Sequence, residues 1–243
     1  MKKLAIAFAA CAALTGTAIA ADLPVRQPVY KAAPMAPPPM TWTGCYLGAG
    51  GGYGMYNQDL SADTSTFTDI TGDERLTLGG RGWFGTVQVG CDYQISPNFV
   101  IGVFGDYDFS GIKGHIFEVD EKLKSMWGAG GRLGYVVFPQ LLAYVSGGYT
   151  QARFGAILNC ASCDIAIDAH TYKGWFLGTG YEYNLGWLSP NLFWKTEYRF
   201  STFKKDTLNV LDFCDDACDG TLNSKKYVQT IRSELVWRFN IGR

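Results

Sequence analysis

No apolar run in this chain is long enough to cross a bilayer as a helix, which takes about 20 residues. The one sustained run, Leu4 to Leu14, stops well short of that. A strong charge of either sign is also missing: the formal net charge is −1. A nucleic-acid binder would show a basic patch and a high pI, so nucleic acid is excluded as a partner. Nor is there a phosphate-cradling loop, although glycine crowds Gly48 to Gly54. Gly48 and Gly50 would need a glycine at Tyr53 to complete G-x-G-x-x-G, and no Gly-Lys-Ser/Thr follows. The sequence therefore predicts no nucleotide, no other cofactor and no resident metal.

What is present begins with an export signal. Lys2 and Lys3 precede the apolar run, and Ala18-Ile19-Ala20 offers a small-residue cleavage site. Residues 1–20 read as a secretory signal peptide. Residues 21–40 hold Pro24, Pro28, Pro34, Pro37, Pro38 and Pro39. Proline removes ladder donors and favours extended polyproline II, so this segment reads as a disordered arm. The folded domain is expected over residues 41–243, starting at about Trp42.

From there the recurring period is two. In Phe84 to Ile95, Val87, Val89, Cys91, Tyr93 and Ile95 share one face, and Thr86, Gln88, Gly90, Asp92 and Gln94 the other. Phe99 to Phe109 sets Ile101, Val103 and Tyr107 against Gly102, Asp106 and Asp108. In Thr171 to Tyr183, Trp175, Leu177, Thr179, Tyr181 and Tyr183 oppose Gly174, Phe176, Gly178, Gly180 and Glu182. Asn191 to Phe203 sets Trp194, Thr196, Tyr198 and Phe200 against Lys195, Glu197 and Arg199. Lys226 to Phe239 sets Ile231, Leu235, Trp237 and Phe239 against Arg232, Glu234 and Arg238. Ser125 to Val137, which holds Arg132, alternates as well, and Leu141 to Gln151 reads as a strand whose facing stays open because Tyr144 and Val145 are both apolar.

With Trp42 to Gly54 this makes about eight strands, each near the 9–11 residues of a tilted transmembrane strand. Connections alternate in length. Ile95 to Asn98, Val137 to Gln140 and Leu185 to Pro190 are short, whereas Tyr56 to Gly80, Ser110 to Leu123, Ala152 to His170 and Lys204 to Lys225 are long and polar. The prediction is all-β: an eight-stranded antiparallel up-and-down transmembrane β-barrel. A soluble barrel with an apolar interior gives the same alternation. Three features favour the membrane: aromatics near strand ends, as in interface girdles; a polar face of glycines, carboxylates and arginines with few lysines; and the loop asymmetry.

The stretches "WTGCYLGAGGGYG" from Trp42, "GGRLGYVV" from Gly130, "GWFLGTGYEYNL" from Gly174, "WKTEYRF" from Trp194 and "SELVWRFN" from Ser233 carry a resemblance. As a set they resemble the small outer-membrane β-barrels of alphaproteobacteria, the porin-family or outer-membrane β-barrel-domain proteins. The resemblance implies location in the cell outer membrane, a role in envelope integrity and display of surface loops, with a small passive pore as the alternative. It implies outer-membrane lipid and the barrel-assembly machinery as partners, the latter reading Leu235, Trp237 and Phe239. Peptidoglycan or a surface ligand is expected to meet the arm and loops. It carries over no catalytic residue. A lipid-modifying enzyme, the third reading, needs a histidine beside a serine and a carboxylate near the outer rim. Only His115 and His170 exist, in or beside loops, with His170 near Asp168.

Two sets of residues are the candidate sites. The first is the cysteines left after export: Cys45, Cys91, Cys160, Cys163, Cys214 and Cys218. An even number in an oxidising compartment favours disulfides over zinc binding. Pairing Met55 with Arg81 in a first hairpin sets Cys45 opposite Cys91 on the apolar face, as a cross-strand disulfide or as two lipid-facing thiols. The second is the interior charge set: Asp106, Asp108, Arg132, Glu182, Lys195, Glu197, Arg199, Arg232, Glu234 and Arg238. An eight-stranded barrel is just wide enough for side chains to fill it. These charges are expected either to plug the lumen as paired ions or to line a narrow ion path.

Overall fold

A computed structural model of the chain describes residues 41–62, 76–116, 119–155, 157–159, 165–167, 169–212 and 220–239. The predicted signal peptide and arm lie outside these residues, as do Cys160, Cys163, Cys214, Cys218 and Asp168.

Eight long strands form the wall: β1 (Gly44–Ala62), β2 (Leu76–Gln94), β3 (Phe99–Ser110), β5 (Val119–Phe138), β6 (Leu141–Phe154), β9 (Thr171–Asn184), β10 (Leu192–Phe203) and β12 (Gly220–Phe239). Each pairs antiparallel with the next, and β1 pairs with β12 to close the sheet on itself. Closure leaves no unpaired edge between first and last strands, the condition a β-structure must meet in a bilayer.

Four shorter strands lie in the long connections: β4 (Lys113–Ile116), β7 (Ile157–Asn159), β8 (Ile165–Ile167) and β11 (Asp206–Asp212). Those connections are thus not wholly loop. β1 and β12 keep their ladder as far as Ala62↔Leu222, and β11 pairs along β12 from Asp206↔Ser224. Polarity hides this in the sequence, because these segments lack the sustained apolar and polar alternation that marks a membrane strand. β4 takes over the place of β3 beyond a jog at Gly111, whose N–H donates to the Trp83 carbonyl at 3.0 Å. The jog turns Ile112 inward, where it is buried.

The short connections, Ile95 to Asn98, Pro139 to Gln140 and Leu185 to Asn191, sit at the end of the barrel that holds Trp42. β6 resolves the open facing: Leu142, Tyr144, Ser146 and Thr150 are buried inside, while Val145 and Tyr149 point out.

The distribution of polarity is inverted relative to a soluble protein. Trp83, Val103 and Leu177 are 74%, 67% and 60% exposed on the outer face, while Arg199 and Arg232 inside are 1% exposed. Apolar outward residues cover every wall strand, far beyond the few hundred Å² a soluble monomer exposes. Outward on β2, Trp83 and Tyr93 bracket Gly85, Val87, Val89 and Cys91. At about 3.3 Å per residue and about 40° tilt, that stretch rises about 25 Å, the height of an outer-membrane apolar band.

Candidate functional site: the charged lumen

Alternation places every second residue inside, so each interior charge follows from its strand's phase. Among described residues the buried acids are Asp92, Asp106, Asp108, Glu182, Glu197 and Glu234, and the buried bases Arg132, Lys195, Arg199, Lys226, Arg232 and Arg238. Six face six, so the interior is balanced overall. Balance matters because an unpaired buried ion costs several kcal/mol.

The charges form two tiers. The lower one, toward the short turns, is a ring of four. Arg132 donates from Nε to Asp92 Oδ1 at 2.8 Å and meets the other Asp92 oxygen through Nη2. Its Nη1 lies 3.1 Å from Glu182. Arg238 Nη2 completes the circle, 2.7 Å from Glu182 and 2.8 Å from Asp92. The four come from β5, β2, β9 and β12, every second strand around the wall. Tyr46 covers the ring, with the Arg132 guanidinium 4.6 Å above its centroid.

The upper tier joins opposite walls. Arg199 Nη1 contacts Asp106 at 2.9 Å, and its Nη2 meets Glu197 at 2.7 Å. Arg232 bridges Asp106 at 3.2 Å and Asp108 at 3.0 Å. Lys195 lies 3.3 Å from Glu234, faces Glu197 at 3.7 Å and donates to Gln88. Tyr144 donates its hydroxyl to Glu197 at 2.9 Å.

Glycine makes room for these groups. A Cβ on Gly102 would stand 2.0 Å from Asp92 Oδ1, inside the ring. Gly52, in register with Arg232, is held closely as well: a Cβ there would meet the Ile231 carbonyl at 2.2 Å and the Phe84 ring at 2.6 Å.

Apolar clusters lie toward both ends. Trp42, Tyr46, Val100, Val136, Leu142 and Phe193 belong to the one toward the short turns. Tyr56, Ile112, Leu123, Phe154, Tyr172, Phe203 and Val228 belong to the other. Within the second cluster Lys226 is buried with its ammonium 3.5 Å from the Phe154 centroid.

All ten interior charges expected from the sequence are buried in the lumen. Asp92 and Lys226 were outside that set. Asp92 was legible, since it lies on the inward face of β2 two residues from Gly90. Lys226 opens the alternating stretch Lys226 to Phe239 in the phase of Arg232, Glu234 and Arg238, so it was legible too, although Val228 on the same face blurs the pattern there. Cys45 and Cys91 are joined by a disulfide, in the register expected from Met55↔Arg81. His170 packs edge-on against Tyr172 at 5.2 Å between centroids.

Residues 28–240 match the outer membrane protein beta-barrel domain. The chain is 30% identical, over 96% of its length and 99% of the relative's, to a 31 kDa outer-membrane immunogenic protein of Brucella melitensis, and equally to that of Brucella suis. Among solved structures, Neisserial surface protein A aligns with 16% identity, a TM-score of 0.43, and coverage of 81% of this chain and 98% of that one. The outer membrane protease OmpT of Escherichia coli aligns with 10% identity, a TM-score of 0.44 and coverage of 82% and 98%. With its closed eight-stranded wall, apolar outer face and charged interior, the chain belongs to the outer membrane protein beta-barrel domain family.

Proposed function

We propose that the protein is a structural barrel of the outer membrane that stabilises the envelope and holds loops at the cell surface, with a lumen that does not conduct. The observation carrying this reading is the packed interior: paired, charge-balanced ions with apolar clusters toward both ends. An ion path needs groups that bind the ion weakly and release it. Here the carboxylates and guanidiniums are engaged with each other, so an entering ion must first break a pair.

The long hairpins at one end support the display role, and the Brucella relatives are named immunogenic outer-membrane proteins. Export by residues 1–20, and an arm of residues 21–40 in the periplasm reaching peptidoglycan, belong to the same proposal. N-terminal sequencing of the mature protein should begin at Ala21.

Planar-bilayer recording tests the lumen directly. The expected record in 1 M KCl shows no discrete steps above background. Reproducible steps would replace this reading with the passive pore. In cells, deletion should raise sensitivity to detergents, and an unaltered envelope would count against the structural role.

A further inference from the structure

The arrangement of exposed charge is as uneven as the interior is balanced. Six of the basic residues whose side chains are described lie in the lumen. All the rest are exposed and gather at the end of the barrel with the long hairpins. Among acids with described side chains, Asp59 alone is exposed, in register with Lys225. The opposite rim, around Tyr93, Phe99, Tyr135 and Trp187, exposes no charged side chain among the described residues.

On the strands, the exposed cations stand just beyond the aromatic belt and point outward. Arg81 lies two residues from Trp83, Lys173 two from Trp175 and Lys225 two from Tyr227, each pair on one face of its strand. Arg81 pairs with Lys113, and Lys113 with Lys122, so three cations stand side by side across β2, β4 and β5. Like charges directly opposite one another in a sheet are destabilising. An anion lying against such a row relieves that repulsion.

We infer that this collar is a docking surface for the phosphorylated glycolipid of the outer leaflet. The belt at Trp83 and Trp175 marks the boundary between acyl chains and headgroups. Side chains one step beyond it reach the level where the lipid carries its phosphates. Long basic side chains there lay their stems along the acyl region and hold the charge among headgroups. Arg81 can bind a phosphate through two donors, and Lys113 and Lys122 act as neighbouring point charges. The inference rests on the outer-membrane reading, with the long hairpins outside.

The test uses the full-length mature protein in nonionic detergent, with lipid A in its bisphosphorylated and dephosphorylated forms as probes. Bound lipid is counted by native mass spectrometry. The wild type should retain the bisphosphorylated form and release the other. The Arg81→Gln/Lys113→Gln/Lys122→Gln variant should lose affinity at least about tenfold, since each basic residue near an anionic surface contributes substantially. The charge-keeping Arg81→Lys/Lys113→Arg/Lys122→Arg variant should bind as wild type does. Folding of each is read from gel migration with and without boiling, and should the first variant misfold, Lys173→Gln/Lys225→Gln replaces it with the same expectation. Equal binding of both lipid forms, or affinity within about twofold for the neutral variant, overturns the inference. Failure of the outer-membrane reading would appear separately, as absence from the outer-membrane fraction.

Discussion

Arg199 of β10 and Asp106 of β3 meet at 2.9 Å across the lumen, from strands four places apart in an eight-stranded ring. The same carboxylate accepts from Arg232 of β12 at 3.2 Å. One side chain therefore ties three walls together. Asp106→Ala should cost about 3–5 kcal/mol, because it leaves two buried guanidiniums short of a partner. Urea titration of the refolded barrel measures it, and a loss under about 1 kcal/mol would show that the tier rearranges freely.

Gly102 and Gly105 are on the same strand and face opposite ways. A Cβ at Gly102 would collide with Asp92, whereas at Gly105 its nearest neighbour is 3.7 Å away. Gly102→Ala should destabilise by about 1–3 kcal/mol through overpacking. Gly105→Ala should stay near wild type, and equal effects from both would refute the steric account.

The Cys45–Cys91 bond faces outward on β1 and β2, two residues inside Tyr93 on the membrane side. A water-soluble reductant should leave it intact in the folded, lipid-embedded protein and cleave it after unfolding. Alkylation with peptide mapping reads the outcome. Cys45→Ser/Cys91→Ser should lower stability by about 2–4 kcal/mol, since the bond closes a span of 46 residues in the unfolded chain.

Salt screens exposed pairs and leaves buried ones nearly untouched. Raising NaCl from about 0.05 M to about 1 M should therefore change the barrel's unfolding free energy by less than about 1 kcal/mol. A steep loss would mean that solvent reaches the lumen tiers.

Much of this was legible because a strand has only two faces. Once Cys91 and Val89 were placed outside, Asp92 and Gln88 had to be inside, and the ten charges of the central strands followed. Phase was lost where it carries no chemistry: Tyr144 and Val145 are both apolar, so only the closed sheet tells which is inside. Partners were not legible at all. Arg199 and Asp106 are brought together by closure, which no local pattern encodes. The collar went unseen for another reason: Lys113 and Lys122 fell in the long connection from Ser110 to Leu123, and nothing local sets them beside Arg81 until β4 pairs with β2 and β5.

Drawing the lower ring from every second strand makes a completeness check of it. No adjacent pair of wall strands contains two of Asp92, Arg132, Glu182 and Arg238, so no isolated hairpin can make any contact of the ring within itself. In an open sheet the ring stays incomplete, because the path from Asp92 through Arg132 to Glu182 returns to Asp92 only through Arg238 of β12. Only the closed cylinder completes that circle, so the ring favours the joining of the last strand to the first over an open sheet.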